Sequence, residues 1–150
     1  IPVGAIELER LLVTIRAAAA ELLNMEMYER WGQGSDPAMN KKMEQGGSVR
    51  QLHTTAKTEL ARLVREYRTT QPTAVEYWAN AHQELLQQFL LTITDATARY
   101  VAEQELRGWQ AVLEGRLDFV EENTYYVGPD PAMHARLFGK IEVPALFRDA

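Results

Sequence analysis

Apolar side chains recur every three or four residues through most of this chain, and this periodicity constrains its fold more than any other feature. Such spacing places them on one face of an α-helix, whereas a half-buried strand would need strict alternation. The first segment of this kind runs from residue 5 to Trp31 and stops at a glycine-rich run, 32–34. Its apolar positions are Leu8, Leu11, Leu12, Ile15, Ala18, Ala19, Leu22 and Met25. Val13, Leu23 and Met27 lie off this face, which predicts that the helix packs on more than one side.

Two further segments have the same period. The capping pattern Ser48-Val49-Arg50-Gln51 predicts a second long helix from Val49 to about Arg68, with Leu52 on its apolar face. Pro72 breaks that helix, and the similar pattern at 73–76 predicts the start of a third.

Apolar positions then continue from residue 74 to residue 122 without a clear stop. One helix of that length would extend about 73 Å, well beyond a small domain. We therefore expect an interruption, either at Thr92–Asp95, whose side chains can bond their own backbone, or at Gly108. One uninterrupted helix would require an elongated dimer.

Asp-Pro pairs at 36–37 and 130–131 predict two short helices, to about Gln45 and Phe138. Both Asp-Pro pairs lie within a six-residue pattern, Gly-x-Asp-Pro-Ala-Met. We interpret the repeated pattern as convergence on a glycine that ends one helix and an Asp-Pro pair that starts the next, with duplication or paired ligand contacts as alternatives. The strand-like run 125–128 is too isolated to form a sheet. The predicted fold is all-α: a bundle of three to four long amphipathic helices with two short Asp-Pro-initiated helices and no significant sheet. We expect a single domain over 1–150, with 140–150 as a tail or linker.

The chain has no cysteine, which excludes disulfides, thiolate zinc sites and iron–sulfur clusters. No apolar run approaches the roughly 18–20 residues of a membrane span, and the first four residues lack the features of a signal peptide. These features predict an intracellular, cytoplasmic protein. Because the sequence starts with Ile1 and not Met, we expect either processing or a fragment of a longer protein.

The net charge of −5 argues against a nucleic-acid binder, but the charge is uneven. Residues 41–68 carry seven basic and three acidic side chains, while acidic residues gather in 103–122. Helical geometry places Arg50, Lys57, Arg65 and Arg68 on one strip beside the apolar face of the second helix, here called the basic flank. We expect the basic flank to pack against acidic residues, in the same molecule or across a dimer, or to bind an anionic ligand or an acidic partner.

No catalytic or metal-binding motif is present. None of the three histidines completes a Glu-x-x-His motif, and no serine lies in a nucleophile motif. The sequence thus predicts no enzyme activity and no metal, and it predicts no cofactor unless a pocket between the helices holds one.

His82 lies on an apolar face beside Trp78, which predicts a core histidine with satisfied nitrogens or, alternatively, a ligand contact. With Tyr100 and Trp109, these two residues are our candidate lining of a pocket between helices.

Two functions are compatible with these features. The first is a non-enzymatic regulatory or protein-interaction module, a homodimer or the partner of another helical protein, which associates through its long helices. The alternative is a sensor that binds a small molecule in the pocket.

Overall fold

The computed structural model describes residues 1–31, 37–38, 41 and 46–115. Over these ranges the chain forms four long helices and no strand, which confirms the all-α prediction there. The helices are α1 (Val3–Trp31), α2 (Gly46–Thr70), α3 (Pro72–Thr92) and α4 (Ala96–Leu113).

The helices alternate in direction around one apolar core. The start of α1 lies beside the end of α2 and the start of α3, because a Cβ on Gly4 would fall within 3.2 Å of Tyr67, Gln71 and Ala74. The end of α4 lies at the same end of the bundle, since Arg68 of α2 donates a hydrogen bond to the carbonyl of Gly115. α1 packs mainly on α2 and α3 mainly on α4, while α3 also contacts α1 and α2. The largest fully buried side chains are Leu8, Leu12, Ile15, Leu60, Val64, Trp78, Leu86, Trp109 and Val112.

The connection between α2 and α3 is a single residue, Gln71. Its backbone amide donates to the Tyr67 carbonyl at 2.7 Å, and its own carbonyl accepts from the Ala74 amide at 3.0 Å. Pro72 is the first residue of α3, where its missing N–H and fixed φ cost nothing. The capping box predicted at 73–76 is therefore wrong, because the helix has already begun.

The start of α2 also differs from the prediction. The helix includes Gly46, so Ser48 lies within the first turn and not at the cap. Leu52, predicted on the buried face, is 52% exposed. It lies roughly 80–120° around the helix axis from Leu60 and Val64, outside the arc that faces the core.

The long periodic segment is interrupted at 93–95, one of the two predicted positions. Asp95 accepts a hydrogen bond from the Thr97 amide at 3.3 Å and caps α4, while Arg99 donates to the carbonyls of Leu90 and Ile93, both at 2.9 Å, at the end of α3. Gly108 does not interrupt α4 and is buried within it. α4 ends at Leu113, earlier than predicted, and is followed by Gly115 with a φ of 90°.

The first turn of α1 is fixed by two contacts with the α2–α3 corner. Gly4 packs so closely there that an added Cβ would lie 2.9 Å from the Cβ of Ala74. The hydroxyl of Tyr67 donates to the carboxylate of Glu7. That hydrogen bond, together with desolvation, raises the pKa of Tyr67 to about 12.

Several predictions lie wholly or partly outside the described residues. Of the first predicted short helix, Pro37, Ala38 and Lys41 are described, and all three are helical. The predicted short helix at 130–138, the strand-like run at 125–128 and the tail at 140–150 lie outside those ranges. In the described part of the chain, no helix is both long and apolar enough to cross a bilayer.

Candidate functional site

Three of the four predicted pocket residues meet at the centre of the bundle. The indole ring of Trp109 stacks on the imidazole of His82, with centroids 4.2 Å apart and planes 3° from parallel. Trp78 packs edge-on against Trp109 at 4.7 Å and 88°. Both tryptophans are 0% exposed, so these rings fill the space between α3 and α4.

Glu9 of α1 lies against these rings from the opposite side of the core. The Nε1 of Trp78 donates to Glu9 Oε2 at 3.1 Å, and Nε2 of His82 is 2.5 Å from the same oxygen. Glu9 is 4% exposed, and its second oxygen, Oε1, is buried without a hydrogen-bond partner among the described residues. A buried carboxylate in this position orients both α3 side chains toward α1.

A second carboxylate connects α1 with α4. Glu105 Oε1 accepts a hydrogen bond from Trp109 Nε1 at 3.1 Å and forms an ion pair with the guanidinium of Arg16. The side chains of Arg16 and Glu105 are 11% and 8% exposed. The buried polar cluster is defined here as Glu9, Arg16, Trp78, His82, Glu105 and Trp109.

The buried polar cluster links three helices by specific hydrogen bonds, and this geometry fits a structural role. The predicted core histidine is confirmed as buried and hydrogen-bonded. With ring centroids 4.2 and 4.7 Å apart, no ligand can enter between the rings. In the described ranges, no group of three His, Asp or Glu side chains could hold a metal ion.

Tyr100 does not join this cluster, contrary to our prediction. It is 61% exposed on α4. The prediction assumed that the face containing Trp78 and His82 continued to Tyr100, but the break at 93–95 resets the helical phase. Val101, Glu105 and Trp109 occupy the buried face of α4 instead.

The basic flank divides into members with different surroundings. Arg68 contacts the end of α4 in the same chain. Its guanidinium donates hydrogen bonds to the carbonyl of Gly115 and, at 2.9 Å, to that of Val112. Partial burial lowers the pKa of Arg68. Arg50 and Arg65 are exposed and Lys57 is half-buried.

Lys57 also acts on its neighbour His53. Desolvation and, to a smaller extent, the Lys57 charge lower the pKa of His53. Pairing of the basic flank with acidic side chains stays a prediction, and two of the contacts that Arg68 makes are with backbone carbonyls.

A cavity of about 220 Å³ lies beside Arg68, between the start of α3 and the end of α4. Val75 and Val112 contribute apolar surface, and Glu76 and Glu114 contribute carboxylates. It is smaller than the roughly 300–1,000 Å³ of typical ligand pockets, and Trp78, His82, Tyr100 and Trp109 are not among its lining residues.

The surface of α1 that points away from the core has an unusual composition. A row of seven residues on it, called here the outer face of α1, consists of Val3, Ile6, Arg10, Val13, Ala17, Ala20 and Asn24, and the half-buried Glu21 lies at the edge of this row. Val3 is 70% and Val13 45% exposed, Arg10, Ala17 and Asn24 are exposed, and Ile6 and Ala20 are half-buried. Soluble helices normally present charged residues on such a face.

Sequence reasoning found only part of this face. Val13 was identified as off the core-facing positions, but its neighbours were not connected to it. The signal is a second apolar period along α1 that lies beside the first and includes alanines. Other large exposed apolar side chains, such as Leu91 and Tyr77, are on α3 and do not extend this face.

Comparison of the chain with protein-family models, curated proteins and solved structures gives no match.

Proposed function

We propose that this protein is a non-enzymatic interaction module, of a structural or regulatory kind, which self-associates through its long helices. Its contact surface is the outer face of α1. The observation that carries this proposal is that α1 has apolar side chains on its outer face as well as on its core face. Apolar area left in water is unfavourable, and burial against a partner recovers free energy in proportion to the area covered.

The core chemistry supports the same proposal. The buried polar cluster uses its histidine, two carboxylates and arginine to connect α1 with α3 and α4. α1 is thereby held in a fixed orientation, so that its outer face is presented as a rigid surface. Rigid surfaces bind with less loss of conformational entropy.

The small-molecule sensor is the weaker alternative. Its proposed pocket was to be lined by Trp78, His82, Tyr100 and Trp109, and three of these pack on one another while the fourth is exposed. The small cavity beside Arg68 is a different place at which a ligand could bind.

The test compares two single substitutions in the 150-residue chain. Val13→Glu places a charge on the outer face of α1, and Leu91→Glu places the same charge on an 85% exposed leucine of α3. We expect the wild-type protein and Leu91→Glu to show the same concentration-dependent mass in sedimentation equilibrium. Val13→Glu should sediment as a monomer with unchanged helical circular dichroism. A wild-type protein that stays monomeric at high micromolar concentration would refute self-association.

A further inference from the structure

The outer face of α1 has the spacing of a coiled-coil seam. Its seven positions follow one another at intervals of three and four residues in alternation, from Val3 to Asn24. This is the heptad spacing that lets one helix pack against another along a narrow seam. The occupant that such a seam fits is a second α-helix.

The polar residues of α1 favour a particular arrangement. In a parallel pair of identical helices, each residue lies level with its own copy, so Arg10 would face Arg10 in a like-charge contact. An antiparallel pair centred between Val13 and Ala17 removes this contact. It brings Arg10 to within about 1.5 Å, along the axis, of the level of the partner subunit's Glu21.

Arg10 and Glu21 also lie on the same side of the seam, as an antiparallel pair requires. Arg10 and Glu21 are eleven residues apart, which is three turns and roughly 20°, so they occupy the same flank of the seam. In an antiparallel two-fold pair, the same flank of both helices meets. In such a pair, Arg10 and Glu21 would form two symmetry-related contacts between opposite charges.

The sizes of the seam residues match in the same register. Val13 of one helix lies level with Ala17 of the other, and Arg10 lies level with Ala20. At these two levels a larger side chain is opposite a methyl group, which allows the two helices to approach closely there.

We propose that two copies of this chain pair through α1 in antiparallel orientation, with Val13 against the partner subunit's Ala17 and Arg10 beside the partner subunit's Glu21. This inference rests on the proposed function, because it names the partner and the geometry of the same surface.

Disulfide trapping tests the orientation directly, because the natural chain has no cysteine. Chains carrying Val13→Cys and chains carrying Ala17→Cys are mixed and oxidised, and the mixed dimer is the expected product. Val3→Cys alone is the control for a parallel pair. In the antiparallel arrangement its two copies are separated by roughly 36 Å along the axis, far beyond disulfide reach.

Charge exchange tests the register. Arg10→Glu and Glu21→Arg should each weaken the dimer about tenfold, and the double variant should restore most of the loss, since two ion pairs between the subunits become like-charge contacts in each single variant. Arg107→Glu, an exposed arginine of α4, should leave the dimer unchanged.

The outcomes separate this inference from the proposed function. Efficient Val3→Cys self-linking without the mixed disulfide, or single charge variants that bind like the wild type, would overturn the antiparallel arrangement and leave self-association intact. A monomeric wild-type protein would overturn both. If the Val13→Cys thiol of that monomer also resists labelling, another part of the same chain covers the outer face of α1.

Discussion

Removal of the guanidinium from Arg16 should be one of the most damaging single changes in the bundle. The Arg16 and Glu105 side chains are 11% and 8% exposed, so their charges are largely withdrawn from water. Arg16→Met keeps the apolar stem but removes the cationic partner of the Glu105 carboxylate, which still accepts a hydrogen bond from the neutral Trp109 Nε1. Breaking a buried pair in this way costs about 3–5 kcal/mol. For a chain of this size, the Tm should fall by roughly 10 °C or more.

The second variant of this experiment is Arg16→Met with Glu105→Gln. The glutamine amide oxygen can still accept from Trp109 Nε1 and has no charge to desolvate, so most of the lost stability should return. A control, Arg62→Met, disrupts an ion pair whose side chains are 56% and 41% exposed, and it should leave the Tm almost unchanged. Urea and thermal unfolding, followed by helical circular dichroism, measure all four proteins. If Arg16→Met costs less than about 1 kcal/mol, or if the double variant is no more stable than the single one, the buried pair does not hold α1 on α4.

Three further predictions concern other contacts. Gly4→Ala should destabilise the fold by about 1–3 kcal/mol through overpacking, whereas Gly47→Ala, which meets nothing within 4 Å, should be neutral or slightly stabilising; parallel urea melts compare them. Because the pKa of Tyr67 is raised to about 12 by its hydrogen bond to Glu7, its stabilising contribution is complete below pH 10 and is lost as the pH rises toward 12; Tyr67→Phe should flatten this part of the stability profile. Arg99→Met should increase hydrogen exchange of the last turn of α3 and leave the middle of α3 protected, because the carbonyls of that turn lose their donor.

The sequence was sufficient to predict the helices but not their phases relative to one another. Leu8, Leu12 and Ile15 are buried as the periodicity indicated, and the break at 93–95 was one of two expected positions. Tyr100 was assigned to the wrong face because three non-helical residues change the direction and rotation of the next helix. That change depends on backbone angles which periodicity does not contain.

The candidate site was predictable only in its α3 members and Trp109. His82 and Trp78 stood on an apolar face, which signalled burial, but their acceptor Glu9 is on α1, 73 and 69 residues away. Glu9 and Arg16 resemble solvent-exposed charges when read along the chain, because a buried charge is recognised only by its partner on another helix. Arg68 was expected to meet acidic residues or an anionic partner, and periodicity along the chain contains no sign of its hydrogen bonds to backbone carbonyls at the end of α4.

The single-residue connection at Gln71 fixes the rotation of α3 about its axis relative to α2. Each residue added to or removed from a helix next to this corner would turn the following helix by roughly 100°. Trp78 and His82 would then swing away from Glu9 together, and an insertion of one amino acid would cost the bundle its central hydrogen bonds without altering any residue that makes them. The corner therefore sets the rotation of α3 relative to α2. Insertions and deletions should be tolerated at the three-residue turn 93–95 and not at Gln71.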